Sequence, residues 1–429
     1  MYDLPSLVTG PLTVVLPETT GAYCDCRYLT ASCSKMTSAF SDGLILPREV
    51  GGYFKINRAL YGCSSLVTGP PSLSFPKVEN GYLDCSEMFC GCFRLSAGPS
   101  SITFHQGTLG GNLECPWMFY RCYDMSSVAA SIVFPRIVTG DAHCAHIFRD
   151  ADSLSSGPVL TFPATVGGYF SCTSAFHGCD ALSSTSSIVF PATVGGYFHA
   201  KQLYCLCTSL TSAGNINIST SCVGEFACNG MFESCHSLQS APGITFPASV
   251  PGDFFGYSLF ENCYGLVSAP SVYFPASSGG RFSCAWIYSG CSKLTTGPQT
   301  ISYPSSVVGA FNCRETFYGC SKLGNVPSIP RLPSASSIEV SKFFSGVNRY
   351  KKAYSWFYDE SVCRLIEDTD ARRDCASNLY YDCDNWEPAG TYPSVFFSSR
   401  PGDLLGCSNM GSATGFMADY PDWNCGAGP

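Results

Sequence analysis

Most of this chain is one short pattern copied repeatedly. In Cys228-Asn229-Gly230-Met231-Phe232-Glu233-Ser234-Cys235-His236-Ser237-Leu238, followed by Ile244-Thr245-Phe246-Pro247, the second cysteine marks a recurring position. That position is Cys33, Cys63, Cys92, Cys122, Ala151, Cys179, Cys207, Cys235, Cys263, Cys291 and Cys320 along the chain. The intervals are 30, 29, 30, 29, then 28 five times, then 29 residues. A period of this kind means one supersecondary unit stacked on its neighbours, because a single unit cannot bury its own apolar face. The expectation is a solenoid of about eleven rungs over residues 1–338, with atypical repeats, a cap or a small end-domain over 339–429.

Each repeat has two halves. In the first, buried-type residues fall at −7, −3, 0 and +3 from the reference, as in Cys172, Phe176, Cys179, Leu182 and Cys284, Tyr288, Cys291, Leu294. Those spacings predict one face of a short helical or 3₁₀ turn. Glycine often precedes the reference cysteine (Gly62, Gly91, Gly178, Gly290, Gly319), which disfavours a long helix. The second half follows a proline and alternates: Leu73-Ser74-Phe75, Ile102-Thr103-Phe104, Leu160-Thr161-Phe162, Ile244-Thr245-Phe246. Period two sends the outer residues inward and the middle one outward, and stacking makes a parallel ladder. A turn such as Val166-Gly167-Gly168-Tyr169-Phe170 leads to the next unit, its glycines expected to supply unusual dihedrals.

The Phe-x-x-Cys-x-x-Leu turn and Ile-x-Phe-Pro strand resemble the BspA-like, Treponema-type leucine-rich repeats. The resemblance spans roughly residues 5 to 335, and Ala175-Phe176-His177-Gly178-Cys179-Asp180-Ala181-Leu182 with Ile188 to Pro191 carries it well. The 28–30 residue period is longer than the family's common one, and Gly-Gly-Tyr-Phe replaces its usual Ile-Gly. The resemblance implies an α/β, leucine-rich-repeat-like solenoid, with a short parallel strand ladder on one face and short helical or 3₁₀ turns on the other. It further implies a surface protein, cell-surface or extracellular, acting in adhesion; similar repeats in viral reading frames leave a virion surface or appendage as the alternative.

The 27 cysteines admit disulfides or buried thiols. One column is the reference position; another lies seven residues earlier, including Cys172, Cys228, Cys284 and Cys313. Bonded columns would be lost together, yet Cys63, Cys207 and Cys263 face Ile56, Ala200 and Gly256. Free cysteine packs as a small hydrophobe, so Cys92, Cys122, Cys172, Cys179, Cys228, Cys235, Cys284, Cys291, Cys313 and Cys320 are expected in the core. In the pairs Cys24/Cys26, Cys90/Cys92 and Cys205/Cys207 the extra cysteine is expected to face away. They lack the four converging ligands of a zinc site, so no metal or other cofactor is expected. Cys363, Cys375, Cys383, Cys407 and Cys425 fall outside the columns and are candidates for disulfides.

Charged residues make up only 13% of the chain and the net charge is −8, without the basic stripe that nucleic acid requires. No apolar run is long enough to span a bilayer, and the first residues lack a signal peptide's basic and apolar regions. Leu7-Val8-Thr9-Gly10-Pro11 matches Leu66-Val67-Thr68-Gly69-Pro70, so the chain opens in mid-repeat, which suits a fragment or a capping half-unit. Charge gathers after residue 339, where Trp356, Tyr358, Trp386 and Trp423 offer a partner-docking alternative to a cap. His177, His199 and His236 occupy variable, surface-like slots without an accompanying nucleophile and acid, so no catalytic residue is expected. Asn217-Ile218-Ser219 is an N-glycosylation sequon on a strand rung.

The candidate binding residues are the outward strand row: Ser74, Thr103, Thr161, Asn217, Thr245, Tyr273 and Ser302, with Val133 and Val189 interspersed. Thr and Val also simply suit strands. An extended row with little charge favours broad contact with a protein or glycan surface over electrostatic steering. The expected function is therefore non-enzymatic surface recognition or adhesion, the alternative a self-assembling fibre, sheath or virion component.

Overall fold

The computed structural model describes residues 3–347, apart from 186, 215, 325–331 and 341. The chain divides after Ala227 into two compact units. Within each, every named strand is two or three residues long and every named pairing is parallel, rung on rung. The fold is a parallel β-solenoid.

The expected ladder is present, but it is the first of three. In the first unit Ser72–Ser74, Ser101–Thr103, Ser131–Val133, Val159–Thr161 and Ile188–Val189 lie side by side in that order. A second ladder follows the strand-ending Pro135, Pro163 or Pro191, or His105 and Ser219 in their place: Thr108–Leu109, Ile137–Val138, Thr165–Val166, Thr193–Val194 and Ser221–Cys222. The third runs from Cys24–Asp25 through Phe54–Lys55, Leu83–Asp84, Leu113–Glu114, Ala142–His143, Phe170–Ser171 and Phe198–His199 to Phe226–Ala227. The second unit repeats the scheme, with Ile244–Thr245, Val272–Tyr273 and Ile301–Ser302 in its first ladder. Its third ladder ends with Ser337–Glu339 against Ala310–Asn312. Each ladder sends residues of its rungs into the interior, such as Leu160, Val166 and Phe170, all at most 1% exposed.

The helical half of the expectation is corrected. The described residues contain no helix. Cys63, Leu66, Leu60 and Ile56 are buried as the −7, −3, 0, +3 spacing required, but a run of β-turns buries them. Ala59 N–H donates to Ile56 O, Tyr61 to Arg58 O, Cys63 to Leu60 O and Leu66 to Cys63 O, each three residues back. Between these, Arg58, Leu60 and Gly62 donate to Ser86 O, Met88 O and Cys90 O of the next rung at 2.8–2.9 Å. Alternate amides thus point along the stack, where a helix would turn all of them inward. Arg58 (φ 60°) and Gly62 (φ 67°) occupy the left-handed region, which no α-helix can contain. Glycine recurs before the cysteine because that position is left-handed in rung after rung.

The Gly-Gly turn has a different cause from the one expected. Neither Gly167 nor Gly195 has a left-handed φ; a Cβ on either would lie 2.0 Å from a carbonyl oxygen of the preceding rung. These glycines permit close approach.

Rings stack at rung spacing beneath the turns. Phe89, Phe119, Phe148, Phe176 and Tyr204 follow one another with centroids 4.9–5.4 Å apart. In the second unit Phe232, Phe260, Tyr288, Phe317 and Phe344 do the same at 5.3–5.7 Å. Val340, Phe344 and Val347 are buried at the −7, −3 and 0 positions, so turn geometry runs to residue 347. The remainder of the expected end-segment, with its cysteines and tryptophans, lies outside the described residues.

Candidate functional site

The first ladder exposes the expected row. Ser74, Thr103, Asn217, Thr245 and Tyr273 are exposed, and Thr161 and Ser302 half-buried, each beside a buried neighbour such as Leu73, Ile102 or Val272. Val133 and Val189 continue the row at 37% and 51% exposure. Parallel pairing brings Ser74, Thr103, Val133, Thr161 and Val189 into register on consecutive rungs. The hydroxyls are little engaged: Thr103 Oγ1 reaches Leu73 O only at 3.5 Å and Ser302 Oγ reaches Phe274 O at 3.4 Å. Side chains ordered in position but with unspent hydrogen-bonding capacity suit an external ligand. Asn217 and Ser219 of the sequon are both exposed.

The core cysteines are placed as expected. Cys92, Cys122, Cys172, Cys179, Cys228, Cys235, Cys284, Cys291, Cys313 and Cys320 are buried thiols. Many reference thiols also donate a hydrogen bond: Cys92 to Leu60 O (3.1 Å), Cys179 to Phe148 O (3.1 Å), Cys291 to Phe260 O (3.1 Å) and Cys320 to Tyr288 O (3.1 Å). The acceptor is the −3 residue of the preceding turn, Leu60 in the first case and a ring-stack residue in the others. A cysteine here is small, apolar and a weak donor to a buried carbonyl, which makes it a better fit than alanine or serine. Burial pushes the Cys63 and Cys291 thiols up to about 12, and those of Cys92, Cys179 and Cys320 well above the ordinary value. Such thiols are inert nucleophiles. The extra cysteines do not face away: Cys24, Cys90 and Cys205 are only 4–9% exposed, and Cys24 Sγ lies 3.4 Å from Cys26 Sγ.

A second face escaped the sequence reading. Along the third ladder and adjoining turns of the first unit, polar and aromatic side chains engage one another across rungs. Tyr23, Tyr53 and Tyr82 stack at 5.1 and 5.2 Å, with Lys55 Nζ over the last two rings. Arg58 Nη2 donates to Glu87 Oε1 at 2.7 Å. Further along, Tyr169 hydroxyl and His199 Nδ1 are 2.8 Å apart, and His199 Nε2 lies 2.9 Å from Glu225 Oε1. Trp117 stacks on His146 at 5.4 Å, and His143 sits between Glu114 (3.7 Å) and Asp141 (3.8 Å). His177 and His199 are therefore not in surface slots; their side chains are 12% and 16% exposed. Only His236 is exposed as expected. Burial lowers the His146, His177 and His199 pKa values, assisted by Arg149 or Lys201, and raises that of Glu114. The recurring tyrosine of Gly-Gly-Tyr-Phe was a signal for this face, once aligned rung by rung.

Among the described residues no group of three His, Cys, Asp or Glu is arranged to hold a metal ion, and no helix is long and apolar enough to cross a membrane.

The protein is thus a parallel β-solenoid with two differently decorated faces. No family model and no curated protein matches the sequence. Three solved structures are similar, two of them leucine-rich repeat proteins and the third a leucine-rich cell surface protein. One, from Bacteroides ovatus, shares 17% identity over 70% of this chain and 81% of its own, at a TM-score of 0.27. The Treponema pallidum leucine-rich repeat protein shares 17% over 57% and 78%, at 0.24. A leucine-rich cell surface protein of Faecalibacterium prausnitzii shares 16% over 80% and 86%, at 0.29. The solenoid itself is established by its own three ladders.

Proposed function

We propose that the chain is a non-enzymatic recognition protein of a cell surface that binds protein or glycan through the outward row that each unit's own first ladder presents. The supporting observation is that row: hydroxyl, amide and aromatic side chains held in register at rung spacing, largely without partners inside the fold. Repeat scaffolds use such extended surfaces for broad contact. A low charge density matches a ligand engaged by hydrogen bonds and apolar contact. The sequence resemblance to BspA-like repeats points the same way. The test is a screen of glycans and extracellular proteins with the wild-type chain and a Thr103→Lys/Thr245→Lys variant of unchanged circular dichroism. Saturable binding lost in the variant is the expected result. Binding that survives both lysines excludes this row as the site.

Self-association is a second reading with its own observation. The early rungs expose Val8 (56%), Leu12 (56%), Val15 (66%), Tyr23 (59%) and Ile45 (53%), more apolar surface than isolated side chains require. Light scattering across a concentration series decides it: a stable monomer excludes obligatory assembly.

A further inference from the structure

Two consecutive turns of the first unit, those of Ala151 and Cys179, bring together polar atoms that the fold leaves unused. His146 and Ser174 occupy the −5 position of these turns, and Arg149 and His177 the −2 position, so the four residues form a two-by-two patch. Backbone bonds join the two turns: His146 N–H to Thr173 O, Phe148 N–H to Ala175 O and Asp150 N–H to His177 O, each 2.8 Å. His146 Nδ1, Arg149 Nε, Ser174 Oγ and His177 Nδ1 are all buried, and none has a hydrogen-bond partner among the described residues. Ser174 is 1% exposed. Asp150 Oδ1 comes nearest, 3.7 Å from Arg149 Nε and 3.9 Å from His177 Nδ1, beyond hydrogen-bonding distance. Buried polar atoms are rarely left unpaired, and four in one patch call for a common partner.

The chemistry of the four atoms selects that partner. Arg149 Nε only donates, Ser174 has a hydroxyl proton to give, and each imidazole Nδ1 donates in one tautomer or when protonated. A species accepting several hydrogen bonds satisfies all four, whereas a cation is opposed by Arg149. The neighbouring turns add Trp117, Tyr120 and Arg121 on one side and Lys201, Gln202 and Cys205 on the other. Asp150, Asp152 and Asp180 are the carboxylates of the patch's own turns. We propose that the Ala151 and Cys179 turns form a binding site for one oxyanion, a phosphate, sulfate or carboxylate group, held by His146, Arg149, Ser174 and His177. Charge-assisted bonds from a guanidinium and imidazoles are the usual means of holding such a group. Burial and Arg149 push His146 down to about 4 and lower His177. A bound anion supplies the missing counter-charge and draws both upward, so binding takes up protons and tightens below about pH 7. This site lies apart from the first-ladder row and does not depend on its function.

The test is titration of the full chain with sodium phosphate, sulfate or glucuronate at about pH 6 and constant ionic strength, following the imidazole proton resonances. Saturable shifts of His146 and His177 are expected, with His105 and His236 unmoved. Arg149→Gln should weaken binding by about tenfold and Ser174→Ala by roughly threefold, with circular dichroism unchanged. Response to phosphate or sulfate alone identifies a free-ion site, and response to glucuronate an acidic-sugar site; both support the proposal. Absence of saturable shifts with all three, equal shifts with chloride, or wild-type affinity in folded Arg149→Gln overturns it.

Discussion

The outward row of the first ladder and the third-ladder face of the first unit are built on the same kind of paired backbone, yet their side chains behave in opposite ways. On the first, Ser74, Thr103 and Val133 stand in register and scarcely interact. On the other, Arg58 grips Glu87, Lys55 lies over two tyrosines, and Tyr169, His199 and Glu225 form a chain across three rungs. The third-ladder face spends most of its polar groups on one another, the patch of His146, Arg149, Ser174 and His177 excepted, while the first-ladder row leaves its own largely unengaged. Backbone pairing therefore sets where side chains stand, and their chemistry sets whether the face is structural or available.

The largest test of this contrast concerns the shared interior. Phe176 lies beneath the turn face and Leu160 beneath the first ladder, both fully buried. Phe176→Ala should cost about 3–5 kcal/mol and Leu160→Ala about 2–5 kcal/mol in urea unfolding. Hydrogen exchange should show both faces of the first unit weakened together by either change. Protection lost on one face alone would break the idea of a common core.

Acid should separate the faces next. His146 has a folded pKa of about 4 against an ordinary 6.5, so the unfolded chain binds more protons between those values. Its stabilising contribution is complete above 6.5 and is lost as pH falls toward 4. After allowance for solvent screening of a half-buried ring this amounts to about 1–2 kcal/mol, with His177 and His199 adding in the same direction. Hydrogen exchange between pH 7 and 4 should loosen the turn face before the first ladder. A His146→Phe variant with undiminished acid sensitivity would remove His146 from this account.

Backbone strain provides a smaller test. Leu206 is left-handed (φ 61°) in the column where Gly178 sits, and it is 41% exposed. Leu206→Gly relieves strain and loses little burial, so a gain of up to about 1 kcal/mol in thermal unfolding is expected. The smallest effect on stability belongs to the open row. Thr103→Ala or Thr245→Ala should shift stability by no more than about 0.5 kcal/mol, because their hydroxyls hold little of the fold together. A larger loss would show that this row is as structural as the other face.

Much of the fold was legible in the period. The reference column located Cys63, Leu60, Leu66 and Ile56 in the core correctly, because any backbone that stacks must bury the same positions in each rung. The backbone serving them was not legible. Spacings of four, three and three suit a helix and a run of β-turns equally; Arg58 and Trp117, ordinary residues in sequence, are left-handed only because neighbouring rungs hold their amides. The second and third ladders escaped because two-residue strands carry no periodicity. The open row was legible through its alternation with Leu73 and Phe75. The His146, Arg149, Ser174 and His177 patch was not, although alignment on the cysteine column places all four.

By itself the sequence determined the repeat, the buried columns and the identity of the outward row, since each follows from local spacing and the need to share a core. The tertiary structure alone decided that the turns are not helices, that three ladders carry the stack and which polar groups find partners. Those outcomes depend on contacts about 28 residues apart, where one rung's amide, ring or carboxylate meets the next.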